Sequence, residues 1–176
     1  RGVNPASIRR RVAMIFQQPN PFVAMSVREN VLAGLTLNGL RAHDPNELVE
    51  RMLVEVALWD ELKDELERPA LSLSEGQQQR LCVARCLALK PEVILMDEPC
   101  AALDASEAAE LEGLIYRLKS EYTVVIATQN LQQAARVATK TAFLYKGQLV
   151  EYDKTSVIFT RPSQQRTEDY ITGRFR

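Results

Sequence analysis

Cysteine is scarce in this 176-residue sequence: Cys82, Cys86 and Cys100 make an odd count with no CxxC spacing. That excludes a disulfide framework and a thiolate zinc site, and it fits a reduced, cytosolic compartment. No apolar run approaches the ~18 residues that a membrane span needs. An excess of one charge is also missing. The 22 Lys plus Arg stand against 23 Asp plus Glu, a net charge of −1, whereas a dedicated nucleic-acid binder carries a basic surplus. Low-complexity tracts and internal repeats do not occur either. What is present, 46% hydrophobic and 26% charged residues, suits a globular chain of one domain, or a domain with a small lobe.

The hydropathy pattern divides the chain. From Arg11 to Phe16 both faces are apolar, as in a strand buried on both sides, and the residues before it read as running straight into that strand. Gln17-Gln18-Pro19-Asn20-Pro21 ends it. Ser26 and Glu29 have the spacing of a capping box and open a helix with Val27, Val31, Leu32 and Leu35 on its apolar side. Asp44-Pro45-Asn46-Glu47 starts a second helix with a cap, a proline and an acidic first turn, and its inward residues are Leu48, Met52, Leu53 and Val56. Between Asp44 and Arg68, nine acidic and three basic residues make a solvated helical face of net charge −6. His43 reads as a surface residue, Trp59 as a packing residue of this helical lobe, and Cys82 and Cys86 as core thiols.

Beyond Ser74 the pattern alternates. A helix is expected over 75–89, an apolar strand over 93–96, a helix over 106–119, a strand over 122–127 and a short helix over 129–137. Two strands, 141–145 and 148–152, flank a Lys146-Gly147 turn. Apolar strands alternating with helices predict a parallel sheet covered on both faces.

Two segments carry chemistry on their own. Asp97-Glu98 closes an apolar strand, and in an open parallel sheet ligands bind outside the carboxyl ends of the strands. An acid pair held there can divide the work of phosphoryl transfer, one carboxylate holding Mg²⁺ and the other taking a proton from the attacking water. Ser74 is an N-cap residue, and Gly76 permits close approach to the backbone. The amino end of that helix therefore presents free amides and a positive dipole end suited to a phosphate.

Leu73-Ser74-Glu75-Gly76-Gln77, followed by Gln78-Gln79-Arg80, resembles the signature peptide of ABC transporter ATPases. Val93 to Glu98 resembles their Walker B strand, Ala102-Leu103-Asp104 their D-loop, and Phe16-Gln17 their Q-loop, in the family's order. Within the family, the runs Phe16 to Phe22, Asp97 to Asp104, Gln129 to Arg136 and Arg166 to Phe175 look like the ATP-binding subunit of bacterial phosphate importers. The resemblance implies an α/β fold: a P-loop NTPase (ABC ATPase) core with a mostly parallel sheet plus a helical subdomain. It implies a helical subdomain at about 26–73, a RecA-like core at 1–25 and 74–152, and a C-terminal tail at 153–176.

By the same resemblance, Glu98 polarises water and Asp97 holds Mg²⁺. Gln17 approaches the metal or the attacking water, and Gln129 takes the position of the switch residue. Ser74, Glu75, Gly76 and Gln77 meet ATP held by a second ATPase subunit, and Asp104 crosses the interface of that homodimer. The implied partners are transmembrane permease subunits of a phosphate importer, with no nucleic acid, and the implied location is peripheral on the cytoplasmic side of the inner membrane. The alternative is a degenerate, non-hydrolysing ABC domain with a binding or regulatory role. A DNA-repair or chromosome ATPase of the same family is disfavoured by the short helical lobe and the balanced charge.

Three positions depart from the family pattern. The sequence contains no GxxxxGK[ST], the loop that cradles phosphates, so the chain reads as lacking the N-terminal P-loop portion of a longer protein, with weak ATP binding and poor stability by itself. Gln129 stands where the family has a histidine; an amide can donate a hydrogen bond but cannot take up a proton near neutral pH. Glu75 replaces the first signature glycine.

Overall fold

The computed structural model describes residues 5–174, which form two compact units meeting between Ala127 and Thr128. The first contains α1 (Pro5–Arg11), β1 (Val12–Ile15), α2 (Val27–Leu37), α3 (Pro45–Glu55), α4 (Trp59–Leu62), a 3₁₀ turn (Ala70–Ser72), α5 (Glu75–Leu87), β2 (Val93–Asp97), α6 (Ala105–Leu118) and β3 (Thr123–Ala127). Its sheet is parallel in the order β1-β2-β3, with Ile15 beside Met96 and Asp97 beside Ala127. The Gln17 end of β1 therefore borders the acid pair at the end of β2. The fold class is the α/β one expected.

Local chemistry sets the helix starts. The Ser26 hydroxyl accepts from Glu29 N–H (3.2 Å) while Glu29 accepts from Ser26 N–H (2.8 Å), the reciprocal capping box read from the sequence. Asp44 caps α3 by accepting from the N–H groups of Asn46 and Glu47. Leu48, Met52, Leu53 and Val56 are all buried, and Val49 joins them. Burial of side chains of this size stabilises by about 1.5–3 kcal/mol each. Helix α5 is the hub, packing on α2, α3, α6 and β1. Leu81, Cys82, Val83, Ala84 and Leu87 are buried along it.

The second unit contains α7 (Leu131–Val137), β4 (Lys140–Tyr145), β5 (Gln148–Lys154), α8 (Thr155–Thr160) and α9 (Gln165–Ile171). The β4–β5 hairpin turns at Lys146 and Gly147, both left-handed with φ of 47° and 76°, as a two-residue turn between twisted strands demands. Phe143 stacks on Tyr170 with ring centroids 4.8 Å apart. Glu151 accepts from Ser163 N–H (2.7 Å), the Ser163 hydroxyl (2.9 Å) and Gln164 N–H (3.2 Å), fastening β5 to the segment that leads into α9.

Several expectations are corrected. Residues 5–11 form helix α1 rather than running straight into the strand; Pro5 sits at its start, where its missing N–H is not needed. The parallel sheet is covered on one face only among the described residues. Ile15, Ile94 and Met96 are buried, whereas Met14 and Val125, on the opposite side, are 44% and 52% exposed. Short helices α4, α8 and α9 had no sequence counterpart.

Candidate functional site

The carboxyl ends of β1 and β2 carry three of the expected residues. Gln17 and Asp97 are exposed and Glu98 is half-buried. Glu98 is left-handed, φ 43°, and its N–H donates to Ala127 O at 2.8 Å. A non-glycine residue in that region costs about 1–2 kcal/mol, and such strain persists only where surrounding structure imposes it. Beneath these loops lies Gln79 of α5, 1% exposed, whose amide Nε2 donates to Phe16 O (2.8 Å) and Pro99 O (3.2 Å). One side chain thus ties the residue before Gln17 to the residue after Glu98.

A second group gathers at the amino end of α5. Ser74 caps it in a capping box with Gln77, its hydroxyl accepting from Gln77 N–H at 3.2 Å and its own N–H donating to Gln77 Oε1 at 3.0 Å. Glu75 and Ser74 are exposed; Gly76 is buried beneath Glu107. The Glu107 carboxylate accepts from the Ser74 hydroxyl (2.8 Å) and from Gly76 N–H (3.1 Å), so an anion already occupies this positive end. A Cβ on Gly76 would fall 2.6 Å from the Glu107 side chain, so the close approach requires glycine. Asp104 caps α6, its Oδ1 accepting from Ser106 and Glu107 N–H groups at 2.8 Å each, which sets Glu107 one turn into that helix.

Gln77 also donates to Glu61 Oε2 of α4 (2.6 Å). The other Glu61 oxygen meets Arg80, whose Nη2 lies 3.3 Å from Glu61 and 3.2 Å from Glu110 and whose Nη1 donates to Ala57 O at 2.8 Å. The side chain of Arg80 is only 7% exposed. This cluster ties the helical lobe to α5 and α6.

The segment after Gln17 is held from behind. Arg85 donates to Asn20 O (2.9 Å) and Asn20 Oδ1 (3.0 Å) and lies over the Phe22 ring at 4.8 Å. Buried Asn30 accepts from Phe22 N–H (2.7 Å) and donates to Ser26 O (3.0 Å). Phe22 and Val23 stay exposed at 38% and 66%. Gln129 lies in the second unit, just ahead of the α7 cap Asn130, which accepts from Gln133 N–H at 3.0 Å.

Among the described residues no cluster of three or more His, Cys, Asp or Glu side chains could hold a metal by itself. An exposed carboxylate at Asp97 and the amide oxygen of Gln17 nevertheless fit Mg²⁺, a hard cation commonly bound by one or two protein oxygens together with waters and substrate phosphates. Cys82, Cys86 and Cys100 form no disulfide. Burial pushes the Cys86 thiol up to about 11 and raises that of Cys82 as well. His43 is exposed. Sequence reading missed the roles of Glu107, Glu61 and Gln79. Gln79 and Arg80 were visible as part of a glutamine-rich run, but their partners lie far along the chain.

A parallel sheet with an acid pair and a glutamine at its strand ends, and a capped helix opening on Ser-x-Gly-Gln, is the arrangement of a nucleotide-hydrolysing transport subunit. Residues 3–101 match the ABC transporter family, to which this chain belongs. Its curated relatives include phosphate import ATP-binding proteins, each named PstB. The one from Leifsonia xyli subsp. xyli is 52% identical over 182 residues, spanning 99% of this chain and 70% of that protein. The one from Cutibacterium acnes is 54% identical with the same coverage. The one from Cytophaga hutchinsonii is 53% identical over 174 residues, 98% of this chain and 70% of its own.

Proposed function

We propose that this chain is part of the ATP-binding subunit of an ABC importer, which as the full-length protein couples ATP hydrolysis to the uptake of inorganic phosphate. The observation that carries the reading is the parallel register of β1 and β2, whose last pair is Ile15 beside Met96, so that the chain leaves the two strands towards Gln17 and towards Asp97-Glu98 at the same carboxyl edge of the sheet. Identity of 52–54% to phosphate import ATP-binding proteins over 99% of the chain supports the transported ion.

In this reading Asp97 and Gln17 would hold Mg²⁺, which would supply positive charge to stabilise the phosphoryl transfer. Glu98 accepts a hydrogen bond from the attacking water and takes its proton, and Gln17 orients the same water. Gln129 donates to the terminal phosphate. Ser74, Gly76 and Gln77, with Glu75 beside them, receive the phosphates of ATP carried by a second copy once the Glu107 carboxylate is displaced from the Ser74 hydroxyl and Gly76 N–H, and Asp104 borders that interface. The subunit is thus a homodimer with two shared sites. Phe22 and Val23 face transmembrane permease subunits from the cytoplasmic side of the membrane. Residues 26–73 form a helical subdomain set into a RecA-like core, 1–25 and 74–152, followed by a C-terminal tail, 153–176.

The test is ATP hydrolysis and phosphate uptake by the full-length protein reconstituted with its permease in vesicles. Glu98→Gln is expected to retain ATP binding and lose hydrolysis and uptake together by at least about 10²-fold. Uptake of an unrelated solute, or hydrolysis within twofold of the wild type in Glu98→Gln, would count against the reading.

A further inference from the structure

Gln79 is buried at 1% exposure, yet its side chain is polar and only half satisfied. The amide Nε2 reaches two carbonyl oxygens, Phe16 O and Pro99 O, whereas Oε1 is buried with no hydrogen-bond partner. Only the NH₂ end of an amide can lie between two carbonyl oxygens, so the orientation is fixed. A stranded amide oxygen in a core is unfavourable. Selection for stability alone would favour an apolar side chain here or an amide paired at both ends.

What Gln79 gains is control of two loops. Phe16 immediately precedes Gln17, and Pro99 immediately follows Glu98. Glu98 is already held on one side by its N–H to Ala127 O and sits in a strained left-handed conformation. The Gln79 bond to Pro99 O fixes the other side of that residue. Gln79 also rides on α5, five residues after Ser74, about 7.5 Å along the helix axis. One rigid helix therefore presents its amino end outward and, one and a half turns on, grips the backbone on which Gln17 and Glu98 stand.

We propose that Gln79 is a positioning residue for hydrolysis, linking the seating of a second copy's nucleotide on the amino end of α5 to the placement of Gln17 and Glu98 in its own copy. This rests on the function proposed above. Shifting an attacking group by about 1 Å costs on the order of 10² in rate with little effect on ground-state binding. Loss of the Gln79 amide therefore shows in kcat.

The experiment compares Gln79→Met, of similar length but without donors, with wild type in the full-length protein reconstituted with its permease. Three quantities are read: kcat and KM for ATP, ATP-driven pairing of subunits by sedimentation, and the thermal unfolding midpoint. A kcat lowered about 10–100-fold, with KM and pairing within about twofold, is expected. Gln79→Asn, whose amide is withdrawn by about one bond length of 1.5 Å, gives the same split and serves if the methionine variant does not fold. Unchanged kcat, or kcat falling only in proportion to pairing or folded protein, would overturn the proposal. If Glu98→Gln also hydrolyses normally, the parent reading fails; if it is inactive while Gln79→Met is fully active, only the positioning role fails.

Discussion

Replacing Arg80 with methionine removes a guanidinium and keeps most of the apolar stem, so its cost isolates the polar tie between lobe and core. The side chain is 7% exposed and makes three contacts: to Ala57 O at 2.8 Å, to Glu61 at 3.3 Å and to Glu110 at 3.2 Å. A hydrogen bond from a charged donor contributes about 1.5–3 kcal/mol. The two carboxylates are 44% and 52% exposed, so each pair is discounted to the surface range of about 0.2–1 kcal/mol. Burying a methionine in place of a charge returns part of this. The expected net loss is about 2–3 kcal/mol. Arg80→Lys keeps the charge but not the fork that reaches all three acceptors, and is expected to lose about 1–2 kcal/mol. Urea unfolding monitored by circular dichroism measures both. Because the carboxylates are half-exposed, Glu61→Gln alone should cost under about 1 kcal/mol. A methionine variant within about 0.5 kcal/mol of wild type would refute the view that Arg80 joins lobe to core.

Three further outcomes are expected. Burial alone would raise the Glu151 carboxyl, but the N–H and hydroxyl of Ser163 and the N–H of Gln164 donate to it and hold it below the ordinary carboxylate value. Its contribution to stability is present above the unfolded carboxylate range, near 4.3, and is lost as pH falls through the lower folded value; Glu151→Gln should cost about 1–2 kcal/mol at pH 7 and flatten the acid limb of the stability curve. The Cys86 thiol, at about 11, stays protonated at neutral pH, so alkylation of native protein by iodoacetamide should be slow there and rapid in urea, followed by mass spectrometry. Gln129→His should raise ATP turnover of the full-length protein, by up to about 10²–10³ if the glutamine contact is effectively lost; unchanged turnover in a steady-state assay would show that the glutamine already serves.

Features set by neighbours within one helical turn were legible. The Ser26–Glu29 capping box, the Asp44 cap and the inward face of α3 all followed from residue type and spacing. The strand ends carrying Gln17 and Asp97-Glu98 were legible because apolar runs broke sharply into prolines and acids. Helices α8 and α9 were not, since neither has a side-chain cap hydrogen bond to announce it. The long-range ties were invisible for a different reason. Glu107 reaches Ser74 across 33 residues, and Gln79 reaches Phe16 across 63, so no local pattern encodes either contact. The exposed face of the sheet also escaped the sequence, because apolar residues on both sides of a strand say what the strand could bury and not what lies against it.

A mixing experiment tests most directly whether two copies share each nucleotide site. Ser74→Arg blocks the amino end of α5, and Glu98→Gln disables the acid pair. In a mixed pair, one shared site carries both lesions and the other carries none. Random pairing makes half the dimers mixed, so hydrolysis of about a quarter of the wild-type rate should return when two inactive preparations of the full-length protein are combined. If Ser74 and Glu98 instead serve the same nucleotide from within one chain, every site keeps a lesion and the mixture stays as inactive as its components.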